Sequence, residues 1–394
     1  MKIKLGVLFG GVSVEHEISI ISAVQAMQSI NEDKYEIIPI YMTKDREWYT
    51  GKMLTDIEIY KDFDMLKRYA TKVTMYKKDG SYYLQSMGFF KKLVTELDVV
   101  FPIVHGANVE DGTLAGYLDT IGIPYVGSRV LGSALGQDKV VMKQVFEACD
   151  LPVVPYTWFY DCEYMTESKD IVKEVTKLGY PVIVKPASLG SSVGITVVKS
   201  KNDLDDAIME AITYDSKVVV EKMIDNLVEV NCSVLGNYEY QQTSVLEEVM
   251  SNDEFLSYKE KYLGGGKKTG SKGMVSTSRI VPARLEKNMT QEIQDLAKKS
   301  FKALSLAGIC RVDFLINKKE GKVYVNEPNT CPGSLSFYLW EPSGKKYEEL
   351  LDDAIQLAIK DFKTRNKKVF SFETNVLSNY SGTKGVKGAK GKLK

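Results

Sequence analysis

The chain has 394 residues, 44% of them apolar, with 52 Lys+Arg balanced by 52 Asp+Glu; this is an ordinary globular composition with room for two or three cores. Zero formal net charge argues against nucleic acid or an anionic membrane as the main partner. No apolar run approaches the ~20 residues that span a bilayer, no signal-peptide pattern opens the chain, and five scattered cysteines without a CxxC favour a reducing cytoplasm over a disulfide framework or zinc site.

Residues 3–9 form an apolar run that breaks at Gly10-Gly11, and the spacing of Ile18, Ile21, Ala23 and Met27 predicts a helix over 15–30. Residues 99–104 read as a second buried strand, ending at His105-Gly106. Strand–glycine–helix units of this kind predict a parallel sheet covered by helices. A helix follows over 138–149. Residues 181–185 and 195–199 read as a hairpin around Gly190-Ser191-Ser192-Val193-Gly194, before a helix near 203–213 and a strand at 217–221. Residues 264–272 form a glycine- and lysine-rich loop. An amphipathic helix at 289–306, strands at 310–316 and 322–326, and a helix over 347–364 complete the pattern. From Ser381 the tail carries Lys384, Lys387, Lys390, Lys392 and Lys394 among small residues, a disordered composition.

The strongest chemical signal is Arg311-Val312-Asp313 followed by Asn326-Glu327-Pro328-Asn329. Residues two apart on a strand share a face, so pairing of these strands would gather two carboxylates, an amide and a guanidinium. Asp313, Glu327 and Asn329 suit a magnesium–nucleotide site, and Arg311 suits charge developing on a phosphoryl or carbonyl oxygen; the alternative is an exposed face with one ion pair. The hairpin glycines, with Ser191 and Ser192 at the tip and Lys185 on the strand before it, would let backbone N–H groups approach phosphate, or make a plain turn. Gly10-Gly11-Val12-Ser13-Val14-Glu15 opens a helix, where Glu15 could receive an ammonium group or simply start the helix with Ser13 as its cap. His105 stands in a second loop, either structural or facing a ligand at the end of a parallel strand.

Taken together, the segments resemble the D-alanine–D-alanine ligase family of the ATP-grasp fold. The resemblance runs from Gly6 to about Gly333. It rests on Gly10-Gly11-x-Ser13-x-Glu15, His105-Gly106-(x)3-Glu110-Asp111-Gly112, Ile123-Pro124-Tyr125-x-Gly127-Ser128 and Ser133-Ala134-Leu135-(x)2-Asp138-Lys139. It continues through Val184-Lys185-Pro186-(x)3-Gly190-Ser191-Ser192-Val193-Gly194, Tyr258-Lys259-Glu260-Lys261-Tyr262, Arg311-Val312-Asp313 and Asn326-Glu327-Pro328-Asn329-Thr330-Cys331-Pro332-Gly333.

The resemblance implies a three-domain α/β ATP-grasp architecture, with an N-terminal parallel-sheet domain and nucleotide held between two α+β domains. The expected division is 1–137, 138–219, 220–365 and a lysine-rich tail over 366–394. It implies that Lys139, Lys185, Ser192 and Lys261 meet ATP phosphates, that Glu221, Lys222, Met223 and Ile224 form the adenine hinge, and that Glu229 holds the ribose. Asp313, Glu327 and Asn329 would ligate two magnesium ions. Glu15 would receive the first amino acid's ammonium, with Ser191 and Tyr262 linking it to a closing loop. Arg311 and the Gly333 N–H would hold the oxyanion of the tetrahedral intermediate. The partners implied are amino acid substrates and, through the N-terminal domain, a second copy of the chain.

The sequence also departs from the family pattern. Val109 replaces a usual glycine and Ala115 a usual glutamine, and the segment between Tyr262 and Pro282 is long. After Gly333, where the family brings a serine to the second substrate's carboxylate, the chain reads Ser334-Leu335-Ser336-Phe337-Tyr338-Leu339-Trp340. Ser336 is the candidate for that contact. Phe337, Tyr338 and Trp340 either wall a pocket or pack against the last helix. In the family, tyrosine at the place of Tyr262 goes with an amine as second substrate and phenylalanine with a hydroxy acid, so the resemblance implies an amine here. Open at this point are D-alanine, D-serine, D-lactate or a bulkier amino acid as that substrate, and a non-catalytic nucleotide-binding module.

Overall fold

The computed structural model describes residues 1–250 and 278–371. In chain order the elements are β1 (Ile3–Gly10), α1 (His16–Ser29), β2 (Tyr35–Met42), β3 (Trp48–Thr50), α2 (Phe63–Tyr69), β4 (Thr71–Lys78), β5 (Ser81–Ser86), β6 (Leu93–Leu97), β7 (Val99–Ile103), α3 (Thr113–Ile121) and α4 (Val130–Gln137). There follow α5 (Lys139–Ala148), β8 (Tyr156–Tyr160), α6 (Asp161–Leu178), β9 (Val182–Pro186), β10 (Thr196–Val198), α7 (Leu204–Ile212) and β11 (Lys217–Lys222). The last group is β12 (Leu227–Gly236), β13 (Gln241–Met250), β14 (Ser278–Ile280), α8 (Lys287–Ala303), β15 (Gly308–Asn317), β16 (Lys322–Asn329), a 3-10 segment at Gly333–Leu339, and α9 (Tyr347–Arg365).

β1 is buried from Leu5 onward because it is central, running parallel to both β2 and β7; strands covered on both faces read as continuous apolar runs. The expected parallel sheet is therefore present in these three strands. It is extended by β3 to β6 in antiparallel pairing, giving a mixed seven-stranded order β6-β5-β4-β3-β2-β1-β7. A four-stranded sheet, β10-β9-β11-β8, and a five-stranded one, β14-β13-β12-β15-β16, complete the architecture.

Three elements cross the divisions expected from sequence. β11 is an interior strand of the four-stranded sheet and continues to Lys222, so the 219/220 boundary would cut it. α5 buries Met142 and Phe146 with Val230, Cys232, Val312 and Phe314 of the five-stranded sheet. α9 returns to the N-terminal domain, where Leu350, Leu351, Ala354 and Ile355 share a core with Leu5, Val7 and Phe9. The lysine-rich segment from Ser381 lies outside the described residues.

α5 begins at Lys139 because Asp138 caps it, accepting the N–H groups of Val140 and Val141 at 2.9 and 3.0 Å. The same carboxylate pairs with Lys217 of β11. Replacing Asp138 by alanine should therefore cost about 1 kcal/mol of folding stability, read as a lowered urea midpoint with unchanged m-value. An unchanged midpoint would show that the cap contributes nothing.

Candidate functional site

Directly opposed residues in an antiparallel pair share a face, and the five-stranded sheet uses this to assemble a polar row. Glu247 lies opposite Asn231, Asn231 opposite Asp313, and Asp313 opposite Glu327. The next position sets Arg311 opposite Asn329. The intervening Val312 and Phe314 point into the core behind. Arg311 grips Asp313 with two bonds, Nε to Oδ1 at 2.7 Å and a terminal N–H to Oδ2 at 2.8 Å. The Asn329 amide donates to the same Oδ2 at 3.0 Å. Burial favours a neutral guanidinium, but Asp313 outweighs it and holds the Arg311 pKa well above its ordinary value. Lys139 stands 3.2 Å from Glu327 Oε2 and donates to the Leu189 carbonyl at 2.6 Å. Two carboxylates and an amide oxygen on one face, beside lysines able to meet phosphate, fit magnesium, which takes one or two carboxylates and completes its shell from phosphate and water.

Behind this row lies a buried triad. Lys185 of β9 faces Val219 of β11 in register, so Glu221, two residues on, lies on its face. Lys185 Nζ donates to Glu221 Oε2 at 2.6 Å, and Lys143 Nζ stands 3.1 Å from Oε1. Lys143 is one helical turn beyond Lys139 on α5; that i, i+4 spacing is present in the sequence, yet among many surface lysines it carries no distinguishing signal. Burial pushes the Glu221 pKa up, but the two ammonium groups overcome it and hold it at about 2. Burial pushes Lys143 down against the pull of Glu221, whereas Glu221 and Glu327 keep Lys185 raised.

Lys185, Ser192, Glu229, Asp313 and Glu327 line one cavity between the two sheets. Glu229, Asn231, Asp313 and Glu327 are shared with the main cleft, which also takes in Glu247, Glu15, His105, Lys139, Ser191, Arg311, Asn329 and Gly333. Along the expected adenine hinge, Lys222 Nζ donates to the Gly179 carbonyl at 2.8 Å, the Met223 N–H donates to the Pro181 carbonyl at 3.1 Å, and Ile224 packs against Val154.

Glu15 stands immediately before α1 and does not cap it through its side chain. Its carboxylate instead accepts a hydrogen bond from Ser191 at the tip of the β9–β10 connection. The two glycine loops close around this contact. A Cβ on Gly190 would lie 3.0 Å from a Glu15 carboxylate oxygen. One on Gly106 would lie 2.4 Å from Ser13 Oγ, at a φ of +82° that already favours glycine.

His105 is buried and both of its ring nitrogens are engaged, Nδ1 with the Cys331 carbonyl at 2.6 Å and Nε2 with Ser22 Oγ at 3.1 Å. These contacts hold the loop that carries Gly333, and the ring also borders the cleft. Glu110 holds the same loop, accepting from the Cys331 N–H at 2.8 Å and Thr330 Oγ1 at 2.9 Å.

The stretch after Gly333 runs differently from the expectation for Ser336, which is fully buried, has no hydrogen-bond partner for its hydroxyl among the described residues, and does not line the cleft. Residues 334 to 336 each take φ near 50° within the short 3-10 segment. Tyr338 faces the cleft instead. Its hydroxyl donates to Glu247 Oε2 at 3.0 Å, and the Arg279 guanidinium lies over its ring at 4.4 Å. The neighbouring aromatics do pack: Phe337 stacks on Tyr347 at 4.5 Å, and Trp340 is fully buried with its indole N–H donated to Ser233 at 2.9 Å. Lys261 and Tyr262 lie outside the described residues.

Residues 4–128 match the family model described as D-ala D-ala ligase N-terminus, and residues 145–356 match the one described as D-ala D-ala ligase C-terminus. A D-alanine–D-alanine ligase of Thermosipho melanesiensis is 41% identical over 95% of this chain and 98% of its own. One from Thermoanaerobacter pseudethanolicus is 41% identical over 91% and 97%. Among solved structures, the D-alanine–D-alanine ligase of Coxiella burnetii superposes with a TM-score of 0.79 at 30% identity, covering 93% of this chain and 96% of its own. The VanG D-Ala:D-Ser ligase of Enterococcus faecalis gives 0.76 at 30% identity, covering 91% and 100%.

The triad has a measurable consequence for folding. Glu221→Gln leaves two buried ammonium groups facing a neutral amide, which should cost about 3–5 kcal/mol. Because the folded pKa lies below the ordinary 4.5, the carboxylate's contribution is complete above that value and is lost as pH falls towards about 2. Chemical unfolding of both proteins from pH 7 downward should show their stabilities converging across that window. Equal stability at neutral pH would contradict the assignment.

Proposed function

The chain belongs to the D-alanine–D-alanine ligase family, and from that premise we propose that it joins D-alanine to D-alanine through an acyl phosphate, supplying a peptidoglycan precursor. It is an ATP-using, ADP-forming ligase. The observation that carries the reading furthest is the Asp313–Glu327 pair with Arg311 and Asn329 on one sheet face, bordered by Lys139 and by the Glu15–Ser191 contact.

In this reading Lys139, Lys185, Ser192 and Lys261 hold ATP phosphates, residues 221 to 224 hold adenine, and Glu229 holds ribose. Asp313, Glu327 and Asn329 hold two magnesium ions, which would offset charge on the phosphoryl oxygens. Glu15 takes the ammonium of the first amino acid, and Ser191 and Tyr262 secure it. The first carboxylate attacks the γ-phosphorus and ADP leaves. The amine of the second amino acid then attacks the acyl carbon. Negative charge that forms on the carbonyl oxygen meets Arg311 and the Gly333 N–H, and phosphate departs as the amide forms. Asp313 occupies two of the five Arg311 donors and so aims the guanidinium. An acyl phosphate is labile in water, which makes an enclosed cleft chemically necessary.

A second reading keeps the chemistry and changes the acceptor to D-serine. It is favoured by the similar likeness to the D-Ala:D-Ser ligase and by Tyr338 on the cleft wall. No described helix is long and apolar enough to cross a membrane. A cytoplasmic homodimer formed through the N-terminal domain completes the proposal.

Phosphate release with ATP and magnesium, measured against D- and L-amino acids and D-lactate with products identified by mass, should require D-alanine and yield D-alanyl-D-alanine. Release only with D-serine as second substrate would establish the second reading. Arg311→Met and Glu327→Gln should each lower turnover at least ~100-fold while remaining folded; near-normal turnover in either would overturn its role.

A further inference from the structure

The second amino acid brings its own carboxylate into a cleft already lined by acids, and that carboxylate needs a cation. Among the described residues three cations line the cleft: Lys139, Arg311 and Arg279. Lys139 is drawn to Glu327 and the Leu189 carbonyl, on the side of the proposed phosphate site. Arg311 is bound through two bonds to Asp313. Arg279 is placed differently. It lies on β14 opposite Val249, two residues from Glu247, and so shares the sheet face of the acidic row at the end away from Glu327.

Arg279 is held in place without being bound bidentately. One terminal nitrogen approaches Glu247 Oε1 at 3.4 Å, and the guanidinium rests over the Tyr338 ring. Glu247 is fixed in turn, its other oxygen accepting from Tyr338 at 3.0 Å and from Asn231 at 3.1 Å. Tyr338 belongs to the short segment that begins at Gly333, whose N–H is the proposed oxyanion donor. A guanidinium stacked on an aromatic ring and steered by one carboxylate oxygen keeps donors for a planar carboxylate of a ligand.

We propose that Arg279 binds the carboxylate of the second amino acid, with Glu247 and Tyr338 as the residues that position its guanidinium. The assignment rests on the ligase reading above and adds the determinant of acceptor binding.

Competition between D-alanine and D-alaninamide tests it. The amide has no carboxylate to be phosphorylated and can act only as acceptor, so the ratio of D-alanyl-D-alanine to D-alanyl-D-alaninamide reports the second site alone. The unaltered protein should favour the acid. Arg279→Met should reduce that preference at least ~10-fold, with the KM for ATP and for the first D-alanine unchanged, and Arg279→Lys should regain part of it. Tyr338→Phe, which keeps the ring and loses the hydroxyl, should produce a smaller loss. If the methionine variant does not fold, Arg279→Gln carries the same expectation. An unchanged product ratio in a folded Met or Gln variant overturns the assignment while leaving the ligase reading intact. Failure of the unaltered protein to form either product overturns the D-alanyl-D-alanine reading and the assignment that rests on it.

Discussion

Asp313 sits at the centre of the cleft, and its two-bond grip on Arg311 orders much of what surrounds it. Removing either partner would leave a half-buried charge without its counterion, a cost of several kcal/mol in a low-dielectric setting. The pair also faces outward in both directions along the sheet, to Asn231 and Glu247 on one side and Glu327 on the other. A single register therefore sets the proposed metal-ligating, oxyanion and acceptor ends of the cleft together. A one-residue slip would turn all of them into the core.

The N-terminal domain completes the site from above. Ser22, His105 and Glu110 hold the backbone of residues 330 to 334, and Ser334 is fixed further by Gln25. α9 closes the connection by burying its apolar side in the N-terminal core. Arg365 at the end of that helix joins Arg129 on Asp119, whose carboxyl stays below its ordinary pKa because the two guanidinium groups outweigh its burial. The Gly333 loop is thus clamped by groups far apart in sequence, which is what a backbone N–H needs in order to act at a fixed point.

Much of the site was legible because strand periodicity is a local signal. Arg311 with Asp313 and Glu327 with Asn329 share faces once those segments are read as strands, and Glu15 and Ser191 lie in glycine loops whose chemistry shows in a few residues, whereas Lys139 stands out only through the family resemblance. The residues that were missed are the non-local ones. Glu247, Arg279 and Lys143 enter the site only through the strand order β14-β13-β12-β15-β16 and through α5 packing across it. Ser336 is turned into the core by a backbone whose residues 334 to 336 all take φ near 50°, a loop conformation that no periodicity in the sequence signals. The parallel sheet was correct for β2, β1 and β7, where apolar runs are continuous. The antiparallel strands β4 to β6 are partly exposed and lack that signature.

The most direct test of the chemistry follows an oxygen atom. D-alanine labelled with oxygen-18 in its carboxylate, turned over with ATP and magnesium, should pass one labelled oxygen to the released phosphate for each dipeptide formed, as read by mass spectrometry. Dipeptide formation with no label in the phosphate would contradict an acyl phosphate and require a different activation of the carboxylate.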